Sequence, residues 1–299
     1  MSFYLLDSDP GIDDACAIIL ADNYFGNSFL ALTTVAGNVS VEKTTINALR
    51  LKESFNFSFK VYRGASRPLI KRFVDASEVH GQDGLGDAGL PLPKIKEEQT
   101  SAAEAIIRLA KSGNLSLIAT GPLTNLALAL ILEPELPNMI KDLTVMGGAF
   151  RLTEFGKGNV TAFSEFNFYE DPEAASLVFG SFKKVNVVPL DLTMNPFFWF
   201  KRPDLNSFPQ SRKSLFIKMI THNFLQKYSV LVLHDAIAVD VHSNREEYEF
   251  KQGHVRILTK PGTMRGASFL EYSKDFLHRI YFKPINGNRF KERFLKSLY

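Results

Sequence analysis

Short apolar runs that end in turn-forming residues, each followed by a helix-compatible stretch, recur along most of the chain. Phe3 to Leu6 is apolar, breaks into the polar segment Asp7 to Asp14, and is followed by Ala15 to Leu20, whose composition favours a helix. Phe29 to Ala36 predicts a second strand ending in Gly37-Asn38, Val41 to Leu51 a helix, and Phe59 to Tyr62 a third short strand. An irregular stretch then runs from Gly64 to Gln99. The pattern resumes with a helix over Ala102 to Ala110, closed by Gly113, and a strand over Leu115 to Ala119 entering Thr120-Gly121-Pro122. A helix over Leu123 to Leu132 precedes Pro134, and the strand Leu143 to Met146 runs into Gly147-Gly148. Asp171-Pro172 supplies an N-cap and a first-turn proline for a helix over Glu173 to Phe179, and Val185 to Leu190 returns as a strand.

Strand, loop and helix units of this length predict an α/β fold: a mostly parallel central sheet with helices on both faces, a Rossmann-like open sheet. Ligands of such sheets bind beyond the carboxyl ends of the strands, where the acidic and glycine-rich segments of this chain fall. After Thr193 the periodicity weakens. Asn195 to Arg212 is irregular, Ser214 to Tyr228 reads as helix, and Val255 to Leu258 and Ile280 to Phe282 read as strands of an edge or antiparallel C-terminal addition. No internal repeat interrupts the chain, and residues 1–299 are expected to form one domain.

Composition narrows the function classes. With 45% hydrophobic residues in 299, the chain has enough apolar side chains for a large core. A net charge of +3, from 35 basic and 32 acidic residues, implies no strong field, so no nucleic-acid partner is expected. Cys16 is the single cysteine, which excludes an intramolecular disulfide and argues for a reducing compartment or for indifference to redox conditions, and its apolar run fits a buried structural thiol. No basic segment with a cleavage site opens the chain, and no apolar run approaches the roughly 20 residues that span a bilayer. A cytoplasmic protein without membrane contact is expected.

The candidate chemistry starts at Asp7-Ser8-Asp9-Pro10-Gly11-Ile12-Asp13-Asp14. In an extended segment Asp7 and Asp9 share a side, and the Pro10-Gly11 turn returns Asp13 and Asp14 towards them. Carboxylates gathered at low dielectric repel unless a cation or a shared proton compensates, and an all-oxygen set suits Ca²⁺ or Mg²⁺. Helix capping by Asp13 or Asp14, with the other carboxylates in solvent, is the alternative. The spacing matches neither an EF-hand nor a Walker loop. Further polar segments follow predicted strands or turns: Gly37-Asn38, His80-Gly81, Thr120 to Asn125, Met146-Gly147-Gly148, Gly158-Asn159, Glu165-Phe166-Asn167 and His234-Asp235.

Taken in order, these segments resemble the inosine-uridine-preferring nucleoside hydrolases, the nucleoside N-ribohydrolases. The resemblance runs from Asp7 to Asp235, with weaker agreement at Met264-Arg265-Gly266. It implies one Ca²⁺ at the base of a ribose pocket, held by Asp9, Asp14, the Thr120 carbonyl and Asp235. It implies that Asp13, Asn38, Met146, Asn159, Glu165, Phe166 and Asn167 surround the substrate, and that Asp9 accepts a proton from the attacking water. Positive character on the ribosyl ring would be stabilised by nearby carboxylates, Glu165 among them. His234, immediately before a metal-binding aspartate, would assist the departing base, with His80 a second candidate. Asp7 is expected to support the loop by hydrogen bonding rather than to bind metal.

Aromatic residues between Phe197 and Tyr228 are candidates for base stacking, although helix packing explains Phe216, Phe224 and Tyr228 equally well. Phe163-Ser164 and the stretch after Asp191-Leu192-Thr193, particularly Asn195 to Trp199, match no familiar base-selective pattern. The function expected is calcium-dependent hydrolysis of ribonucleosides to free base and ribose, in nucleoside salvage, by a homodimer or homotetramer. A metal-dependent phosphohydrolase, a phosphorylase and a calcium-dependent nucleoside-binding protein are the alternatives. The first two lack a basic phosphate site, and retention of Asp9 and His234 disfavours the third.

Overall fold

A computed structural model of the chain describes residues 2–285 and 288–299. Six strands lie parallel: β1 (Phe3–Ser8), β2 (Phe29–Thr34), β3 (Lys60–Arg63), β4 (Leu115–Ala119), β5 (Ile140–Met146) and β6 (Asn186–Val188). Two-residue strands β7 (Phe200–Lys201) and β8 (Val230–Leu231) form a separate antiparallel pair. The later strands β9 (Tyr248–Ile257), β10 (Ser268–Glu271) and β11 (His278–Pro284) extend the main sheet to nine strands, in the order β10-β9-β11-β6-β5-β4-β1-β2-β3. β11 runs parallel to β6, whereas β9 is antiparallel to both β11 and β10. The mostly parallel α/β sheet with an antiparallel C-terminal addition is the expected architecture.

The helices are α1 (Ile12–Phe25), α2 (Val41–Phe55), α3 (Ser77–His80), α4 (Ala102–Ala110), α5 (Thr124–Leu132), α6 (Leu136–Met139), α7 (Phe166–Glu170), α8 (Pro172–Ser181), α9 (Leu190–Thr193), α10 (Arg212–Lys227), α11 (His234–Ser243) and α12 (Phe290–Ser297). Successive strand side chains point to opposite faces, so Leu5, Ala31 and Leu117 enter one apolar core while Leu6, Leu32 and Ile118 enter the other. Helices α4, α5 and α8 cover the first core; α1, α2, α10, α11 and α12 cover the second. Asp171 caps α8 by accepting from Ala174 N at 3.0 Å, an interaction worth about 1 kcal/mol.

Helix α1 begins before Ala15 because the acidic loop winds directly into it. Asp14 accepts from the Gly11 amide at 3.0 Å, and Asp13 and Asp14 occupy the first turn, where the helix dipole favours negative charge. β6 stops at Val188 because Pro189 lacks an N–H for the ladder, and Leu190 opens the single turn α9. Helix α11 carries no amphipathic stripe that sequence periodicity would detect, since every residue from Asp235 to His242 is buried. Its Asp240 accepts from Tyr24 and Tyr248 hydroxyls at 2.5 Å each and from two nitrogens of Arg293 at 2.7 Å, tying α1, α11, β9 and α12 together. Among the described residues no helix is long and apolar enough to cross a membrane.

Candidate active site

Strand order reverses between β1 and β4, and a cavity of about 890 Å³ opens beyond their carboxyl ends. An open parallel sheet places its crevice there because the connections from neighbouring strands diverge to opposite faces. Asp7, the penultimate residue of β1, lies beside Thr33 and Ala119 but does not line the cavity. It accepts from Thr33 Oγ1 at 2.6 Å and Asn125 Nδ2 at 2.8 Å, and Asn125 also bonds the Thr34 carbonyl and the Ala65 amide. Asp7 thus ties β1 to β2 and to the start of α5, and through Asn125 to the segment after β3. Burial raises its pKa to about 6, against the lowering effect of those two donors.

Asp9 sits between two glycines. A Cβ at Gly37 would lie 2.0 Å from Asp9 Oδ2, and one at Gly121 would lie 2.7 Å from Oδ1, so larger residues in either loop would displace the carboxylate. Oδ2 accepts from the Asn38 amide at 2.7 Å, and Asn38 Nδ2 reaches Asp9 O at 3.0 Å and Asp14 Oδ2 at 2.9 Å. Burial raises the pKa of Asp9, with the charges of Asp14 and Asp13 adding to it. Asp14 lies beneath the cavity floor, accepting also from Ser8 Oγ at 2.5 Å and Thr120 Oγ1 at 3.3 Å.

Carboxylate oxygens of Asp13, Asp14 and Asp235 lie within 4.8 Å of one another, all buried. Asp9 stands outside this closest trio, although its charge still acts on Asp235. Desolvation raises the pKa of Asp13 to about 7 and that of Asp235 well above its ordinary value, with mutual repulsion as the next cause. Among the described residues no Lys or Arg lines the cavity to offset these charges. An oxygen-only, buried, uncompensated acidic set fits a hard divalent cation such as Ca²⁺ and does not fit a thiophilic metal. Thr120 lines the same cavity, and its carbonyl accepts from Asn167 Nδ2 at 2.9 Å with a second lone pair left for a cation.

The remaining expected residues are brought together with different degrees of freedom. Met146, Phe166, Asn159 and Glu165 all line the cavity, Asn159 at its exposed rim. Both Glu165 oxygens accept backbone amides, Asn167 at 2.8 Å on one and Gly148 at 2.9 Å and Phe168 at 3.1 Å on the other. Glu165 therefore caps α7 as well as facing the cavity. Asn167 spends its amide protons on Thr120 O and Met146 O.

His80 and His234 both line the cavity as well, close enough for His234 to act on His80. His80 Nδ1 accepts from the Ile12 amide at 3.1 Å, which leaves the proton of the neutral ring on Nε2. His234 Nδ1 lies 2.7 Å from Thr193 Oγ1. Burial pushes both imidazoles down to about 4, and His234 adds to the effect on His80. His242 and His278 lie elsewhere, the first bonded to Thr144 and the second between Val255 and Phe182.

Of the aromatic candidates, Phe224 and Tyr228 line the cavity and pack against each other with ring planes tilted by 40° and centroids 4.7 Å apart. Phe198 is buried against Tyr248 and Phe290, and Phe216 packs on Phe55. Sequence periodicity missed the wall formed by Val74 to Val79, because that segment is irregular except for the turn α3. It is anchored by Ala76 N to Asn38 O at 2.9 Å and Val74 N to Glu170 Oε1 at 3.1 Å. A polar anchor of this kind leaves no hydrophobic period.

A family model described as inosine-uridine preferring nucleoside hydrolase matches residues 4–292. Uridine nucleosidase 1 of Arabidopsis thaliana is 43% identical over 195 residues, 63% of this chain and 56% of that protein. The pyrimidine-specific ribonucleoside hydrolase RihB of Escherichia coli is 38% identical over 192 residues, 63% of this chain and 59% of that protein. The chain thus aligns with little more than half the length of these curated relatives. A solved plant nucleoside hydrolase superposes with a TM-score of 0.90 at 26% identity, covering 99% of this chain and 98% of the other.

Proposed function

We propose, from the premise that this chain belongs to the inosine-uridine preferring nucleoside hydrolase family, that it hydrolyses the N-glycosidic bond of ribonucleosides to free base and ribose with Ca²⁺ at the foot of its cavity. The observation that carries this reading is the single cavity into which Asp9, Asp13, Asn38, Thr120, Asn167, His80, His234 and Asp235 converge from separate loops. We read Asp9, Asp14, the Thr120 carbonyl and Asp235 as the residues that would hold the ion, with Asp13 turned to the sugar. Bound there, calcium would supply compensating charge and a fixed point for water and the ribose hydroxyls.

Asp9 is the proton acceptor in this reading. The Asn38 amide donates to its Oδ2 at 2.7 Å and fixes its orientation, which positions the carboxylate as the general base. Water attacks C1' of the ribose, its proton passes to Asp9, and the C1'–N bond breaks with its electron pair leaving on the base. Glu165 and Asp13 present negative charge to the cationic ribosyl ring. His234, with His80 beside it, donates from a ring nitrogen to the departing base, which must gain a proton or a matched hydrogen bond to leave. Asn38, Asn159 and Asn167 line the sugar side with amides that read hydroxyl donors and acceptors, Met146 packs beneath it, and Phe166, Phe224 and Tyr228 offer aromatic faces to the base.

Uridine and other pyrimidine nucleosides are the first substrates to test, since the relatives near 40% identity carry pyrimidine names. Nucleoside salvage in the cytoplasm by a homodimer or homotetramer built from one 299-residue domain completes the proposal. Purified protein incubated with uridine, cytidine, inosine and adenosine, with and without phosphate, is expected to release free ribose independently of phosphate. Chelation should suppress the release, and Asp9→Ala should lower kcat about 10²–10⁴-fold, the range for losing a positioned general base. Strict phosphate dependence with ribose 1-phosphate as product would overturn hydrolysis, and full activity of Asp9→Ala would overturn the base assignment.

A further inference from the structure

The buried turn α9 carries two side chains that the reaction scheme above does not use, Asp191 and Thr193. All four of its residues are buried at 1% exposure or less. Asp191 accepts from the amides of Phe150 at 2.8 Å, Leu152 at 2.5 Å and Thr153 at 3.2 Å, and its carbonyl accepts from Thr153 Oγ1 at 2.9 Å. The turn is also pinned by Leu190 N to Gly148 O at 2.9 Å and Thr193 N to Pro189 O at 3.1 Å. It is therefore a rigid mount, and the Thr193 hydroxyl it carries lies 2.7 Å from His234 Nδ1.

We propose that Thr193 is a positioning residue that donates its hydroxyl proton to His234 Nδ1, so that the neutral ring carries its proton on Nε2, the edge offered to the departing base. This rests on the reading of His234 as the leaving-group donor. The direction of the bond follows from satisfaction. Among the described residues, Nδ1 of His234 is the one hydrogen-bond partner of this hydroxyl. Were Nδ1 the donor, the buried hydroxyl would accept and its own proton would have no acceptor, which burial penalises. With the hydroxyl donating, both groups are satisfied and the ring proton sits on Nε2, which has no hydrogen-bond partner among the described residues, in a side chain that lines the cavity. His80 is held in the same tautomer by a different device, the Ile12 amide on its Nδ1. Two unrelated donors, a backbone N–H and a side-chain O–H, thereby turn both rings the same way.

The test is the ring NMR of calcium-loaded protein with ¹⁵N,¹³C-labelled histidine near neutral pH, together with steady-state kinetics on uridine. Wild type is expected to show His234 as the Nε2–H tautomer. Thr193→Val, which replaces the hydroxyl with a methyl, should mix the tautomers and lower kcat about 10–100-fold with little change in KM, the range for losing a hydrogen bond that orients a functional imidazole. Thr193→Ser should restore both the signal and kcat. An Nδ1–H tautomer in wild type would overturn the proposal, as would a Thr193→Val enzyme with wild-type tautomer and kcat. Should Thr193→Val fail to fold, the wild-type spectrum and the serine variant decide it alone. A wild-type protein with the Nε2–H tautomer that cleaves no nucleoside would overturn the hydrolase reading and leave the hydrogen-bond assignment standing.

Discussion

Replacing Asp235 with Asn is expected to stabilise the metal-free protein and to abolish its response to calcium. The carboxylates of Asp13, Asp14 and Asp235 lie within 4.8 Å of one another. At an effective dielectric of about 20, one such pair repels by about 3.5 kcal/mol, so the two pairs involving Asp235 amount to about 7 kcal/mol. Protonation caps this cost. Near pH 7, holding a proton on a carboxyl whose ordinary pKa is 3.8 costs about 4 kcal/mol, less than the repulsion it relieves. Asn removes the charge at nearly constant volume, so metal-free Asp235→Asn should gain up to about 4 kcal/mol. With an unfolding entropy near 2.1 cal/mol/K per residue over 299 residues, that raises Tm by about 6 °C. Calcium at about a hundredfold over its Kd would add about 2.7 kcal/mol, or about 4 °C, to wild type alone. Calorimetry of both proteins in chelator and in calcium measures all four values. A metal-free variant that melts below metal-free wild type would refute the charge-frustration argument, and an equal calcium shift in both proteins would remove Asp235 from the ion site.

Three further outcomes follow from separate parts of the molecule. Gly37→Ala puts a Cβ 2.0 Å from Asp9 Oδ2 and 2.9 Å from Pro122 Cδ, so kcat/KM should fall on the order of 100-fold with an unchanged circular dichroism spectrum; wild-type kinetics would show that the cradle yields freely. Arg293→Met strands the fully buried Asp240 and should cost about 3–5 kcal/mol in denaturant unfolding while leaving kcat unaltered, since α12 lies outside the cavity lining. Burial pushes His278 from 6.5 down to about 4, so between those values the unfolded chain binds the extra proton. Its contribution is complete above about pH 6.5, falls as pH drops towards 4 and levels off below, a loss of up to about 3 kcal/mol. The unfolding free energy of His278→Gln should decline less steeply with acid than that of wild type, and parallel curves would exclude His278 as a source of acid sensitivity.

The strand and helix alternation from Phe3 to Val188 was legible because each apolar run is bounded by Gly, Pro, Asn or Asp, and local chemistry of that kind needs no distant partner. Helix α4 and strand β4 coincide with their predicted limits for this reason. The acidic loop and its ordered companions were legible as a set, and all of the expected site residues except Asp14 line the cavity, Asp14 lying just under its floor. Helix α11 escaped detection because it is covered on every side, which erases the period that an amphipathic helix displays.

Which oxygen or nitrogen of each side chain is free was decided only by the folded chain. Composition and spacing determined that four aspartates stand near one turn; the packing of β1 between β2 and β4 determined that Asp7 faces Thr33 and Asn125 while Asp9 enters the cavity. Likewise the sequence places Thr193 and His234 41 residues apart, and only the meeting of α9 with α11 brings them to 2.7 Å. Residue type and turn chemistry are local properties written in the chain, whereas hydrogen-bond direction, burial and mutual charge depend on neighbours that folding alone supplies.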